Sequence, residues 1–154
     1  MLVFGVPFTT FLFALAGGVL PTMIWLWFWI REDGKNGTGE PRGLIILTFI
    51  AGMMSVLLVI PIQNFIYTNF ASTGVFLTIA AFAEELLKYL VVALVAFRAS
   101  VLDDATDYPI YMITGALGFA ALENTLFLLE PITQQNLALT FFTGNLRFLG
   151  ATVL

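Results

Sequence analysis

Long apolar stretches separated by short polar segments dominate this chain, and they determine the solvent in which it can fold. A transmembrane helix needs about 20 apolar residues, and five stretches approach or exceed that length. We predict helices over residues 4–30, 43–67, 74–97, 110–129 and from 137 onward. Charged residues make up only 10% of the chain, against about 25% in soluble domains. The sequence therefore predicts an all-α polytopic transmembrane helical bundle with about five membrane helices, forming a single domain over residues 1–154.

The basic residues of the loops predict how the bundle is oriented. Three of these residues lie in the first loop and one in the third, namely Arg31, Lys35, Arg42 and Arg98. Cytoplasmic loops of membrane proteins carry an excess of Lys and Arg. We therefore expect loops 31–42 and 98–109 in the cytoplasm and the N-terminus outside. The net charge of −4 gives no indication of a nucleic-acid partner, so the expected surrounding is the lipid bilayer.

Two local features and two missing residue types narrow the chemistry further. The Glu130-Pro131 pair is predicted to end the fourth helix, because proline disrupts a helix interior. The acids of the third loop are expected to be solvated: Asp103, Asp104 and Asp107. The sequence contains no cysteine and no histidine. A disulfide, a histidine metal site and a histidine general base are therefore excluded within these residues.

Seven polar or ionisable residues lie inside the predicted membrane spans. They are Glu84, Glu85, Lys88, Glu123, Asn124, Asn145 and Arg147. A charge at the bilayer centre costs about 2.5 to 3.5 kcal/mol on insertion scales, so these groups must face one another or water. Lys88 follows Glu84 by four residues and Glu85 by three, which places all three on one helix face.

The depths of the charged residues predict one shared site. At a rise of 1.5 Å per residue, the Glu84-Glu85 pair lies about 15 Å deep, Glu123 about 9 Å and Arg147 about 15 Å. Three glutamates and two cations leave one surplus negative charge, which a proton or a bound cation would neutralise. A carboxylate pair of this kind suits general-base work on water, and Asn124 suits donation to a developing oxyanion. The alternative is a structural network of ion pairs, Glu84–Lys88 and Glu123–Arg147.

Two motifs at these residues resemble a known family. Glu84-Glu85-Leu86-Leu87-Lys88 resembles the EExxK motif of the PrsW family of intramembrane peptidases, within the wider CAAX-type prenyl protease group. Residues 115–124, ending in Glu123-Asn124, resemble its GxGFAxxEN helix. Asp107 and residues 109–111 fit the lead into that helix, and residues 145–154 with Arg147 resemble the start of its next motif. The resemblance covers residues 80–154.

The resemblance implies a paired-glutamate site that activates water. Its catalytic residues would be Glu84, Glu85, Glu123 and Asn124, with Lys88, Asn145 and Arg147 in support. A divalent metal such as zinc is a candidate cofactor, with Glu84, Glu85 and Glu123 as its candidate ligands. The family also has a histidine, whose expected place is just past Leu154. We therefore expect either the N-terminal part of a longer bundle or a shortened member of the family, and we expect no competent peptidase from these residues alone.

The leading functional hypothesis is an intramembrane peptidase of the bacterial cell membrane, or a fragment of one. It would hydrolyse a peptide bond in or near a membrane-anchored protein, and the resemblance implies an anti-sigma factor as one such substrate. A non-catalytic membrane scaffold or binding protein of the same fold is the alternative. An ion-coupled transporter is the third hypothesis, since carboxylates inside a membrane also mark ion pathways.

Overall fold

The described part of the chain is almost entirely helical. The computed structural model describes residues 2–3, 6–34, 39–70, 73–99, 102 and 104–150, and the side chains of these residues other than 2, 3, 73, 137 and 147–150. Two short antiparallel strands, β1 (Leu2–Val3) and β2 (Val6–Pro7), lie at the N-terminus. They are followed by α1 (Phe8–Asp33), α2 (Arg42–Asn69), α3 (Thr73–Val95), α4 (Asp107–Thr133) and α5 (Leu137–Gly150). The predicted all-α bundle is confirmed.

Among the described residues, three helices are long and apolar enough to cross a membrane: α1, α2 and α4. Helix α3 has sufficient length at 23 residues, but Glu84, Glu85 and Lys88 lie in its middle and raise its charge. Helix α5 is described over 14 residues. Large apolar side chains point outward from the bundle, such as Phe65 at 67% exposure and Phe141 at 75%. A surface of this kind suits lipid, and the chain is an integral membrane protein.

Helix α4 lies at the centre of the bundle. Each of the other four helices packs against it, and 56% of its apolar span is buried, against 22% for α1 and 39% for α2. Its buried face consists mainly of small residues between residues 114 and 125. Because small side chains let helix backbones approach closely, α4 can accommodate neighbours on several sides.

Glycines mark the places where α4 meets α1 and α2 most closely. A Cβ added to Gly52 of α2 would overlap the carbonyl oxygen of Gly115 in α4. A Cβ added to Gly118 of α4 would likewise overlap the carbonyl oxygen of Phe49. On the other side of α4, Gly18 of α1 leaves no room for a side chain beside Thr125. These glycines are therefore required for helix contact.

The predicted end of the fourth helix was wrong. Helix α4 continues past Pro131 to Thr133, because proline removes only its own N–H, while its carbonyl still accepts from the backbone N–H of Asn136 at 3.0 Å. The helix ends at Thr133, and Gln135, two residues beyond it, has a positive φ of 54°. The start also differs: α4 begins at Asp107, three residues before the predicted start.

Candidate active site

The two glutamates of α3 have different partners. Gln63 of α2 donates from Nε2 to Oε1 of Glu84 at 2.5 Å, and Glu84 is half-buried. Glu85 accepts from Lys88 Nζ at 2.6 Å on the same helix, and its side chain is 72% exposed. The predicted same-face contact thus forms between Lys88 and Glu85. Glu84 instead turns toward α2, where a neutral amide orients its carboxylate.

Lys88 connects the two sequence motifs. Its Nζ lies 4.5 Å from the ring centroid of Phe119, a fully buried residue of α4. A cation over an aromatic face is attracted by the ring quadrupole. The same ring packs against Val56 and Val59 of α2, and Leu87 of α3 adjoins this cluster. The charged groups of α3 therefore lie beside an apolar cluster that α2, α3 and α4 build together.

Three contacts establish how α3 and α4 run relative to each other. Phe97, just past the end of α3, packs edge-on against Tyr108 with centroids 5.0 Å apart. Val92 lies against Gly115, and Lys88 lies over Phe119. Positions further back along α3 thus meet positions further forward along α4, so the helices are antiparallel; from Val92 to Lys88 and from Gly115 to Phe119 the step is four residues on each. Glu84 lies one turn before Lys88 in α3, and Glu123 lies one turn after Phe119 in α4, a distance of about 6 Å along each helix. In this register the two glutamates are therefore expected at the same level.

The second motif contributes one half-buried and one buried residue. Glu123 is half-buried, and Asn124 is 2% exposed. Both have polar or charged interactions within the protein. Successive helix residues point about 100° apart, so Glu123 can face α3 while Asn124 lies in the interior around α4. The packing of α4 against its neighbours buries the small residues before Glu123. The same packing therefore determines how far the side chains of Glu123 and Asn124 are buried.

The two supporting residues of α5 are Asn145 and Arg147, and the structure describes the side chain of Asn145 but not that of Arg147. Asn145 is exposed, and its Nδ2 donates to the carbonyl oxygen of Phe141 in its own helix at 2.7 Å. This is a local bond that satisfies the amide without reaching α4. The backbone of Arg147 belongs to α5, but its side chain lies outside the described residues. The expected approach of Arg147 to Glu123 or Asn124 therefore stays a prediction.

The described residues do not by themselves form a metal centre. In this part of the chain, no three acidic side chains lie close enough together to bind a metal ion. Glu84 is engaged by Gln63, and Glu85 is engaged by Lys88. Zinc sites usually need three or four close protein ligands. Glu84, Glu85 and Glu123 alone do not fit that requirement, and we derive no step through a metal.

The structure adds one residue to the site that the motifs did not indicate. Gln63 lies two residues after Pro61, inside the long apolar stretch of α2. A glutamine within a membrane span requires a polar partner, and this requirement was the available signal. Its partner, Glu84, lies 21 residues further along the chain. Sequence spacing alone does not identify such a contact between helices.

A second buried polar cluster lies at the other end of α4, and it corrects the expectation for Asp107. Asp107 is 3% exposed, and its Oδ2 accepts from the backbone N–H of Asp104 at 2.9 Å. Tyr111 donates to Oε2 of Glu40 at 2.5 Å. Burial raises the pKa of Glu40, as do the nearby Asp107 and Asp33 carboxyls, while the Tyr111 hydrogen bond opposes the shift. Asp107 is therefore not solvated; Asp104 is exposed, and Asp103 lies outside the described residues.

Comparison with known proteins extends the resemblance beyond the two motifs. Residues 40–154 match the model of the PrsW family of intramembrane metalloproteases. The chain is 32% identical over 133 residues to Protease PrsW of Geobacillus kaustophilus, and 31% over 118 residues to Protease PrsW of Oceanobacillus iheyensis. It is 27% identical over 119 residues to Protease PrsW of Bacillus subtilis. No solved structure matches the chain.

The matches cover most of this chain but only part of each relative. They include 80%, 75% and 75% of the chain and 56%, 54% and 53% of the respective relatives, so the chain spans about half the length of the curated relatives it matches. The matched region begins at Glu40 and contains the Glu84-Glu85 pair, Lys88 and the Glu123-Asn124 pair. The chain belongs to the PrsW family of intramembrane metalloproteases.

Proposed function

We propose that this chain supplies the paired-glutamate part of an intramembrane peptidase site. The reaction is hydrolysis of a peptide bond in or near the membrane segment of an anchored protein. The observation that carries the proposal is the Gln63–Glu84 hydrogen bond, at a level where the α3–α4 register brings Glu123 opposite. A half-buried carboxylate with a fixed orientation and a second carboxylate at its level suits the activation of water.

The residues take the following roles. Glu84 accepts a proton from water, and the resulting hydroxide adds to the carbonyl carbon of the scissile bond. The oxyanion that forms accepts a hydrogen bond from Asn124. The proton then passes to the amide nitrogen as the C–N bond breaks. Glu85 is paired with Lys88, and Glu123 is the acidic partner across the helix interface. Gln63 orients Glu84 without adding charge.

The substrate, membrane context and extent of the site are also part of this proposal. The substrate is a membrane-anchored protein, and the family resemblance implies an anti-sigma factor as one candidate. Residues 1–154 form one transmembrane unit, the N-terminal part of a longer bundle in a bacterial cell membrane. Any divalent metal would need ligands additional to Glu84, Glu85 and Glu123, since these do not form a metal centre among the described residues.

The test uses the full-length protein in lipid vesicles with a membrane-anchored reporter peptide. We expect Glu84→Gln to abolish cleavage and Glu85→Gln to reduce it strongly, with insertion and thermal stability retained. Glu130→Gln is the matched control, because Glu130 is an exposed glutamate near the end of α4. Wild-type turnover in Glu84→Gln would exclude Glu84 as the base.

A non-catalytic scaffold is the second candidate, and one observation favours it. Among the described residues, the acids of α3 are engaged by Gln63 and Lys88 and form no three-acid cluster. A scaffold would use these contacts only for packing. In that case the wild-type protein would not cleave the reporter, and Glu84→Gln would lower thermal stability without any change in turnover.

The proposed orientation places the N-terminus outside and loops 31–42 and 98–109 in the cytoplasm. It rests on the distribution of basic residues between the loops. The chain lacks cysteine, so in a single-cysteine variant a thiol reagent reacts only at the introduced residue. In intact cells, we expect an impermeant thiol reagent to label Gln134→Cys and not Ala105→Cys; the reverse pattern would contradict the orientation.

A further inference from the structure

A groove of about 640 Å³ lies between α1 and α2, at the end of the bundle that carries the 31–42 loop. Helices α1 and α2 both pack against α4, and the groove is the space left between them. Its walls are largely apolar, with Met23, Leu26 and Trp27 from α1 and Ile45, Ile46 and Phe49 from α2. Both helices are membrane spans by length and composition. The groove therefore opens onto the hydrocarbon of the bilayer.

Two arginines line the polar end of this groove. Arg31 belongs to the last turn of α1, and Arg42 begins α2. Both side chains are exposed. The Arg31 guanidinium carbon lies 5.4 Å from the ring centroid of Trp27, which is itself 61% exposed. Since tryptophan favours the membrane–water interface, this contact places the cation at the depth of lipid headgroups.

The acid at the same end of the groove is buried and hydrogen-bonded to α4. Glu40 also lines the groove, but it is 8% exposed and accepts a hydrogen bond from Tyr111 of α4. Its carboxyl group therefore belongs to the buried cluster with Asp107. The positive charge of the two arginines at the mouth is consequently not cancelled by an exposed carboxylate of Glu40.

We infer that this groove binds an anionic glycerophospholipid, with an acyl chain between α1 and α2 and the phosphate between Arg31 and Arg42. Three features match that ligand: an apolar channel open to the bilayer, an aromatic ring at interface depth, and two guanidinium groups at the mouth. Guanidinium groups bind phosphate with paired hydrogen bonds. Basic pockets between membrane helices bind anionic headgroups in the same way. The site lies at the opposite end of α4 from Glu123, so it is separate from the proposed peptidase site.

The test measures lipid retention by native mass spectrometry. The full-length protein is extracted from nanodiscs that contain equal amounts of phosphatidylglycerol and phosphatidylcholine. We expect retained phosphatidylglycerol to exceed phosphatidylcholine in the wild type. Each of Arg31→Gln and Arg42→Gln should reduce this preference about fivefold, since one basic residue near an anionic surface contributes about that factor. Arg98→Gln, an exposed arginine outside the groove, should leave the preference unchanged.

A second pair of variants separates the groove from general charge attraction. Ile46→Trp fills the groove and keeps both arginines, and it should reduce lipid retention. Leu58→Trp adds the same side chain at an outward position of similar exposure, 55% against 59%, and should have no effect. Thermal stability identifies any misfolded variant, and Met23→Trp then replaces Ile46→Trp. Equal retention of both lipids by the wild type would overturn the inference. Unchanged lipid retention in Ile46→Trp would also overturn it. So would a cross-linking experiment in which a cysteine at position 23 (Met23→Cys) captures another protein and no lipid.

Discussion

The ammonium group of Lys88 in α3 lies over the ring of Phe119 in α4, with Nζ 4.5 Å from the ring centroid. Lys88 belongs to the EExxK motif and Phe119 to the GFA segment that precedes Glu123. The two most diagnostic stretches of the chain therefore touch through one cation–π contact. The same lysine donates to Glu85 at 2.6 Å. In the register that this contact indicates, Glu84 and Glu123 each lie one helical turn further along their helices.

A double-mutant cycle on this contact should reveal a favourable coupling. We expect Lys88→Met and Phe119→Leu to be coupled by about 0.5 to 2 kcal/mol in unfolding free energy, the usual range for a cation–π pair. The measurement is reversible unfolding in mixed micelles. Lys88→Met with Phe127→Leu is the control, because Phe127 is 53% exposed and lies two turns further along α4. Additive effects at Lys88 and Phe119 would mean that the ring serves only as apolar packing.

Removal of the Gln63 amide should impair catalysis more than folding. Gln63→Leu leaves Glu84 without its donor, so the carboxylate loses its orientation. We expect kcat for reporter cleavage to fall by about tenfold to a hundredfold, since small displacements of a reacting group have effects of that size. KM should change little, and Gln63→Asn should restore part of the activity if its shorter amide still reaches Glu84.

The control for this variant comes from a similar pair elsewhere in the chain. Gln134 donates to Glu130 at 3.1 Å near the exposed end of α4. Gln134→Leu removes the same type of amide–carboxylate bond far from Glu84. It should leave kcat unchanged, and an equal loss of kcat in both variants would contradict the positioning role of Gln63.

Alanine in place of the glycines where α2 and α4 meet should destabilise the bundle. In Gly52→Ala and Gly118→Ala, the new methyl group would meet a backbone carbonyl of the neighbouring helix, which cannot rotate away. We expect each to cost about 1 to 3 kcal/mol or more, the usual range for overpacking. Gly43→Ala is the matched control, because no atom lies within 4 Å of a Cβ added there. The measurement is thermal unfolding. If Gly43→Ala lost as much stability as the other two variants, the close approach of the α2 and α4 backbones would be contradicted.

Glu40 should make stability depend on pH. Its pKa is raised in the folded chain, first by burial, so the folded state binds the proton more tightly than the unfolded state. That contribution is complete below the unfolded pKa, near 4.5, and is lost as the pH rises through the higher folded pKa. We expect wild-type thermal stability to fall over this interval.

The Glu40→Gln variant should show a weaker pH dependence than the wild type. The amide cannot titrate, but its oxygen still accepts from Tyr111. Glu130→Gln, at an exposed position, should leave the wild-type slope unchanged. The measurement is thermal unfolding in detergent across the interval, and identical slopes for Glu40→Gln and the wild type would show that another group is responsible.

The apolar stretches predicted the helices of this fold well, because membrane spans depend mainly on length and hydrophobicity. Their ends were less predictable. Proline at position 131 removes one hydrogen bond, yet the helix continues because the other backbone groups still pair. The motifs likewise indicated Glu84 and Glu123 as candidate site residues, since charge within a span is unusual enough to be informative.

Contacts between distant parts of the chain could not be predicted in the same way. Glu40 lies in a Gly-rich, charged loop that favours solvent, but Tyr111, 71 residues away, draws it into a buried cluster. The Gln63–Glu84 bond similarly depends on how α2 packs beside α3. Each pair is determined by tertiary packing, which leaves no periodic pattern in the sequence.

The backbone contacts of Gly52 with Gly115 and of Phe49 with Gly118 have a consequence for membranes of different thickness. Where main chain meets main chain, no flexible side chain can stretch or compress to change the helix separation. A bilayer that does not match the span length is accommodated by tilting, and α2 and α4 would have to tilt as a unit. The height of Gln63 relative to Glu123 would then stay constant as the lipid composition changes.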